Sequence, residues 1–572
     1  MMKVKSFFSA LFLCGIMYSA YAQIAPEKYW VQFTDKNNSP YSINNPGEFL
    51  SERALERRNK YNIDIDELDI PVNDTYIQGV EQTGAVILNP SKWLNGVTIQ
   101  TNDINVINAI NALPYVENTM KFIDGEVKQV IKEDIENIFY DIPVNNEELD
   151  DYYEYALHKK KNYKKKKLAN IKKLDDYYGY ALPQIQQLNG INLHEANYRG
   201  EGMLIGICDG GFMGADSHAV FEEIRKENRL LGTRNFVNKG TTVYESSSHG
   251  TSVWSLIGGN IPNTYVGTAP KASFYLCLTE DARTENLIEE YNFVSALELL
   301  DSIGVDVINS SLGYIQFDMP QWSHSYSDMD GETCIITIGA EIASSKGIIV
   351  VNSAGNDGAS WTYPYIGAPA DGEHVFTIGA VDVNGELAYF SSIGPSYDGR
   401  IKPDVVAHGE NVTVASPDGS FYNGSGTSYS TPVMTGMLTC LWQIRPDLEP
   451  ETLKEIIRES ANRTNNPDNY YGYGIPDFTL AMQTLSVDEV NETIPIINVY
   501  PNPSNGVVNV EFLDDDIYGV QVYNQLGVLI YADDCSGDSA RLQNFLTTLG
   551  SGMYFVNVMS SSNNNSLKVV KY

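Results

Sequence analysis

Between residues 183 and 485 the chain repeats one pattern: a short, unbroken apolar run, then a stretch with helical spacing. The runs are 203–208, 273–278, 305–309, 348–352 and 375–381, and 287–303 and 341–346 are among the helical stretches. A strand that faces water on one side alternates apolar and polar residues, whereas a strand covered on both sides does not. The runs therefore predict an α/β unit: a mostly parallel, doubly wound sheet with helices on both faces. In such a sheet, functional groups collect in the crevice at the carboxyl ends of the strands.

Four blocks fall at predicted strand ends or run into helical stretches. They are Gly206-Ile207-Cys208-Asp209-Gly210-Gly211, Ser248-His249-Gly250-Thr251-Ser252-Val253, Asn352-Ser353-Ala354-Gly355-Asn356-Asp357-Gly358, and Gly424-Ser425-Gly426-Thr427-Ser428-Tyr429-Ser430-Thr431-Pro432. Taken singly, each has an ordinary structural reading: Asp209 as a strand-end cap, His249-Gly250 as a loop, Asn356 as a turn former, Ser428 as a helix start. Taken together they supply what nucleophilic catalysis by serine requires. A serine hydroxyl needs a base within hydrogen-bond reach, and the imidazole needs a carboxylate to fix its tautomer. Small residues around Ser428 admit a substrate backbone, and a helix start aims N–H groups at developing negative charge. Asn356 offers a further amide donor.

The order Asp-His-Asn-Ser, the H-G-T-x-V block and the G-T-S-x-x-x-P block resemble the subtilisin-type serine endopeptidases, the subtilases. Ile308-Asn309-Ser310-Ser311-Leu312-Gly313 is similar to that family's substrate-strand segment. Ile366-Gly367-Ala368-Pro369-Ala370 and Ile378-Gly379-Ala380-Val381-Asp382 are similar to the stretches beyond its oxyanion asparagine. The resemblance implies Asp209, His249 and Ser428 as the triad and Asn356 at the oxyanion. It also implies that Ser311, Leu312 and Gly313 pair with substrate and that Gly367 lies at the base of the primary pocket. One departure is Gly210, where the family often has Ser or Thr. The chemistry requires no cofactor. Subtilases often bind structural calcium, and no ligands are assigned to one here. Residues 325–331 carry oxygen ligands at alternate positions but no glutamate at the twelfth.

The flanks divide the chain further. Residues 1–22 have the basic start, apolar run and Ala20-Tyr21-Ala22 end of a secretory signal. Residues 23–123 follow the order β-α-β-β-α-β, a ferredoxin-like α+β pattern, and resemble the inhibitory prosegments of subtilases. Residues 124–182 contain LDDYYEYAL at 149–157 and LDDYYGYAL at 174–182, eight of nine positions agreeing at an offset of 25. The intervening HKKKNYKKKKLANIKK has nine lysines and no acid, so the segment is expected to be a solvated, protease-sensitive linker. Residues 486–572 show short strands between turn signals and are expected to form a β-sandwich. From 498 on, Val499-Tyr500-Pro501-Asn502-Pro503-Ser504-Asn505-Gly506, Gly552-Met553-Tyr554 and Lys568-Val569-Val570-Lys571 resemble the type IX sorting domain of Bacteroidetes.

The resulting expectation is a zymogen whose prodomain is its own inhibitor and whose substrates are proteins or peptides. It is expected to pass through the periplasm to the type IX secretion machinery and reach the medium or cell surface. A net charge of −34 argues against nucleic acid or anionic membrane as a partner through the overall field. No stretch of the mature chain has the apolar length of a transmembrane helix. After the signal, five scattered cysteines (208, 277, 334, 440, 535) suggest core residues rather than a framework or a zinc site. Two other classes remain: a catalytically dead binding protein on the same fold, which loss of a triad member would favour, and an adhesin acting through its C-terminal domain.

Overall fold

The protein is described from a computed structural model. The described residues are 27–122, 177–488, 497–512, 517–525, 528–533, 539–560 and 564–572. The expected secretory signal, the first LDDYYEYAL block, the lysine run and Cys535 lie outside them.

The N-terminal unit is one antiparallel sheet of β1 (Lys28–Phe33), β2 (Val86–Ser91), β3 (Gly96–Gln100) and β4 (Val116–Lys121), in the order β2-β3-β1-β4. Helix Ile104–Asn111 is capped by Asp103, whose carboxylate accepts from Asn105 N–H. Helix Glu52–Lys60 is capped in the same way by Ser51. A further helix, Asp74–Gln82, was not expected, because Gly79 and a short apolar stripe weaken its sequence pattern. The period of two in β1 divides its side chains between two cores. Val31 and Phe33 join Val80, Ile99 and Ile110 inside this unit, while Trp30, like Phe122 just after β4, packs on Tyr291 of the next.

The central unit carries a seven-stranded sheet. Its members are β5 (Leu204–Asp209), β6 (Leu230–Asn235), β9 (Ser273–Leu278), β10 (Val307–Ser310), β11 (Ile349–Ser353), β12 (Phe376–Val381) and β13 (Val405–His408). The intervening β7 (Asn260–Ile261) and β8 (Tyr265–Val266) form a small hairpin. The order is β13-β12-β11-β10-β5-β9-β6, and all pairings are parallel. Helices His249–Gly258 and Thr427–Trp442 cover one face, and Ile288–Ile303 and Ile335–Ser345 cover the other. Residues of one strand serve opposite cores: Ile205 and Ile207 point to the first pair of helices, Leu204 and Cys208 to the second. A hairpin of β14 (Val412–Ala415) and β15 (Phe421–Gly424) leads into Thr427–Trp442. Cys208, Cys277, Cys334 and Cys440 are buried and unbridged.

The linker expected through residue 182 ends earlier. Tyr178, Ala181 and Leu182 are fully buried in the central unit, so the second LDDYYGYAL block belongs to it from residue 177.

In the C-terminal unit, β16 (Ile497–Tyr500) pairs with β17 (Asn509–Phe512). A second sheet has the order β19-β18-β20-β21, from Ile517–Asn524 (β18), Leu529–Asp533 (β19), Gly552–Ser560 (β20) and Asn564–Lys571 (β21). The all-β expectation overlooks a helix, Ser539–Thr548, whose Leu542 and Leu546 join Val499, Val522 and Val556 in one core. No helix among the described residues is long and apolar enough to cross a membrane.

Candidate active site

Asp209 is the last residue of β5 and is fully buried. Its carboxylate accepts from Gly210 N–H at 2.8 Å and faces His249, whose Nδ1 lies 2.9 and 3.0 Å from the two oxygens. Gly211, at φ +147°, lets the turn pass close to residue 245: a Cβ there would lie 2.5 Å from Glu245 O. His249 opens its helix, and Gly250 N–H donates to Gly211 O at 2.9 Å. A Cβ on Gly250 would lie 2.5 Å from that same oxygen, so His-Gly is dictated by how closely the helix start meets the aspartate turn. With Nδ1–H donating to Asp209, Nε2 is left as the acceptor. Burial alone would lower the imidazole pKa, but the charge and hydrogen bond of Asp209 outweigh it and hold His249 above the ordinary histidine value.

Ser428 is the second residue of helix Thr427–Trp442 and is buried. The neighbouring Tyr429 ring stands 6.0 Å, centroid to centroid, from the His249 ring, which brings the serine turn alongside the imidazole. Pro432 lies four residues on and has no N–H to donate to the Ser428 carbonyl. Ser311 Oγ donates to that carbonyl instead, at 3.0 Å, and Ser428 Oγ reaches Ser311 O at 3.4 Å. The proline of G-T-S-x-x-x-P thus links the serine turn to the predicted substrate segment.

Asn356 Oδ1 accepts from both Thr427 N–H (2.9 Å) and Thr427 Oγ1–H (3.0 Å). With its carbonyl end so occupied, the amide presents its N–H₂ end as the donor. Thr427 was not singled out from sequence, although it adjoins Ser428. Only the fold brings it to Asn356.

Ser311 is buried and Gly313 exposed, while the Leu312 carbonyl accepts from Asn352 Nδ2 (3.1 Å) and Ser353 Oγ (3.3 Å). Tyr314 and Ala368 exchange backbone hydrogen bonds at 2.8 and 3.2 Å. This sets Gly367 beside Ile315, whose Cγ1 a Cβ on Gly367 would approach to 2.9 Å. The predicted substrate residues therefore border one region, with Gly313 as its open edge.

The N-terminal unit docks on helix Ile288–Ile303. Glu298 accepts from Lys92 N–H (2.7 Å), Trp93 N–H (3.0 Å) and Ser91 Oγ. Asp301, fully buried, pairs with Arg57 (2.6 Å), Arg58 (2.8 Å) and Lys92 (3.1 Å), all three from the docked unit. Burial would raise the Asp301 carboxyl, but those cations hold it down at about 2.

Family comparisons divide the chain along the same lines. Residues 200–474 match the model of the Subtilase family, residues 28–137 that of the Peptidase S8 propeptide domain of Bacteroidota, and residues 498–572 that of the Secretion system C-terminal sorting domain. The central unit belongs to the subtilase family.

Its curated subtilase relatives include Serine protease AprX of Bacillus subtilis (strain 168), 28% identical over 48% of this chain and 65% of AprX. Subtilisin NAT of Bacillus subtilis subsp. natto is 28% identical over 52% of this chain and 70% of its own. Subtilisin DY of Bacillus licheniformis is 29% identical over 50% and 93%. Among solved structures, that of the Prenylagaramide maturation protease PagA has 20% identity and a TM-score of 0.41, over 52% of this chain and 98% of that one. The family match and the curated subtilase relatives support a serine-type endopeptidase, and the sorting domain indicates export to the cell surface or beyond through type IX secretion.

For calcium, the oxygen-rich 325–331 stretch caps its own turns. Asp328 accepts from Ser325 N–H, and Asp330 from Glu332 N–H and Thr333 N–H. Among the described residues, Glu280, Glu285 and Glu289 bring carboxylate oxygens within 4.8 Å of one another. The two Glu289 oxygens accept from Asp281 N–H and Asn286 N–H, each at 2.8 Å.

Proposed function

We propose that the chain is an exported serine endopeptidase made as a zymogen, with Asp209, His249 and Ser428 as its triad and Asn356 at its oxyanion site. The observation that carries this reading is His249 hydrogen-bonded to the buried Asp209 beside a serine at a helix start, with Asn356 oriented through the adjoining Thr427. His249 Nε2 takes the proton from Ser428 Oγ as that oxygen attacks the scissile carbonyl. Asp209 keeps Nδ1 protonated and stabilises the imidazolium. Asn356 Nδ2–H and Ser428 N–H hold the charge that develops on the carbonyl oxygen. His249 then protonates the leaving amine, and water, deprotonated by the same nitrogen, releases the acyl group. No cofactor enters these steps, and a structural calcium remains part of the reading without assigned ligands.

Substrate lies extended along Ser311, Leu312 and Gly313, by strand addition. Gly367 leaves room before the scissile bond for a large apolar or aromatic side chain. A panel of peptide anilides tests this, and strong preference for arginine at that position contradicts it. Residues 27–122 act as a ferredoxin-like inhibitory prodomain, a reading supported by the sheet order and by the docking on Glu298 and Asp301. The C-terminal unit is a β-sandwich-type tag that carries the folded enzyme from periplasm to medium. Truncation after Leu485 should leave an active enzyme inside the outer membrane. Normal export of the truncated form contradicts the tag. Loss of peptide-bond hydrolysis in Ser428→Ala tests the enzyme reading itself.

A further inference from the structure

The duplicated block raises a question of choice: two nearly identical nonapeptides lie 25 residues apart, and among the described residues the central unit offers a seat beside the Asn260–Val266 hairpin. The occupant is the second copy. Tyr177 O accepts from Asn263 N–H and Tyr180 N–H donates to Thr264 O, both at 2.9 Å, so the segment adds antiparallel to the Asn260–Val266 hairpin. Tyr178 is fully buried, with its hydroxyl 2.9 Å from His194 Nδ1. The Tyr177 ring lies under the Arg199 guanidinium, 5.4 Å from its centroid. Every one of these tyrosines also occurs in the first copy, as Tyr152, Tyr153 and Tyr155.

The single difference is Gly179 against Glu154, and it falls where the seat is narrowest. Gly179 has φ +55°, and a Cβ there would stand 2.0 Å from Thr264 O and 2.3 Å from Thr264 C. Both atoms are backbone, so no side-chain rotation relieves the overlap, and the conformation itself disfavours a side chain. The rejection continues downstream. Pro183, Gln184 and Ile185, directly after the second copy, are buried, whereas His158, Lys159 and Lys160 come after the first.

We infer that this seat is a recognition site for the second copy alone, with Gly179 as the residue that discriminates. The chain's mature form then keeps residues 177–182 as its first docked strand, and the maturing cut falls between residues 158 and 176, shedding the first copy with the prodomain. This consequence, unlike the seat itself, rests on the zymogen reading.

Two deletions of 25 residues isolate the choice. Removing 149–173 keeps LDDYYGYAL before Pro183, and removing 158–182 splices LDDYYEYAL onto Pro183, so the two full-length-derived chains differ only in Gly or Glu at the seat. The expected result is a Gly chain that unfolds within a few degrees of the parent and a Glu chain that melts about 10 °C or more lower, or fails to accumulate. Equal midpoints, or equal failure of both chains, would overturn the inference. N-terminal sequencing of the secreted parent tests the consequence separately. A start between 159 and 177 supports it, and a start anywhere outside that range contradicts it. A chain that is never cut removes the zymogen reading and leaves the seat to be decided by the melting pair.

Discussion

Asp209 and Asp301 are both fully buried carboxylates of the central unit, but their partners differ. Asp209 faces one titratable imidazole, whereas Asp301 faces two guanidiniums and an ammonium from the docked N-terminal unit. A carboxylate beside a group that gains and loses a proton near neutrality shapes a reaction. A carboxylate beside permanent cations locks a contact, because removing either side strands buried charge. In the proposed reading the same residue type serves chemistry at one end of β5 and docking on a helix of the opposite face. What differs is the group facing each carboxylate, an imidazole at Asp209 and permanent cations at Asp301.

Neutralising each carboxylate should separate the two roles. Asp209→Asn should lower kcat by about 10⁴, a magnitude taken from a subtilisin, and leave release of the prodomain unchanged. Active-site titration followed by steady-state kinetics reads it. Asp301→Asn should do the reverse. It leaves Arg57, Arg58 and Lys92 with a weaker partner, at a cost of about 3–5 kcal/mol, so the processed prodomain should dissociate about 10²–10⁴-fold more readily while the freed enzyme keeps its kcat. The onset of activity after processing follows this directly. An equal effect of both substitutions on kcat would erase the distinction.

Asn356→Ala should cost about 10²–10³ in kcat with little change in KM, the range seen for the corresponding donor of a subtilisin. Thr427→Val, which removes the hydroxyl that helps hold Asn356 Oδ1, should cost less, since Thr427 N–H still donates. A loss in Thr427→Val as large as that in Asn356→Ala would argue that the threonine acts on substrate itself.

The smallest effect is in pH. The proposed base must be neutral to accept a proton, and Asp209 holds the His249 pKa above the ordinary value of about 6.5. Activity of the mature enzyme should therefore fall as pH drops through a value above 6.5. The residual activity of Asp209→Asn should hold to lower pH, because burial then acts on the imidazole without an opposing charge. An acid limb unmoved by Asp209→Asn would disconnect the carboxylate from the base.

Much of this was legible in sequence because it rests on local constraints. Five of the seven central strands read as unbroken apolar runs, and Gly211 and Gly250, close to Asp209 and His249, mark backbone contacts that admit no side chain. Two strands were missed for opposite reasons. Leu230–Asn235 is an edge strand, Leu-Leu-Gly-Thr-Arg-Asn, whose half-exposed pattern mimics a loop, and Val405–His408 is only four residues long. Glu298 and Asp301 could not be recognised as docking residues, since acids in a helical stretch ordinarily mark a solvated face. Only the packing of another unit reveals their burial. Tyr178 was hidden similarly, because its block reads as linker until the hairpin at Asn260–Val266 supplies its partner strand.

The most direct test of the central claim is mass analysis of the mature enzyme after treatment with an organofluorophosphate. One adduct is expected, on Ser428, formed in step with loss of peptide hydrolysis, absent in Ser428→Ala and strongly slowed in Asp209→Asn. An adduct on another serine, or hydrolysis that persists in Ser428→Ala, would contradict it.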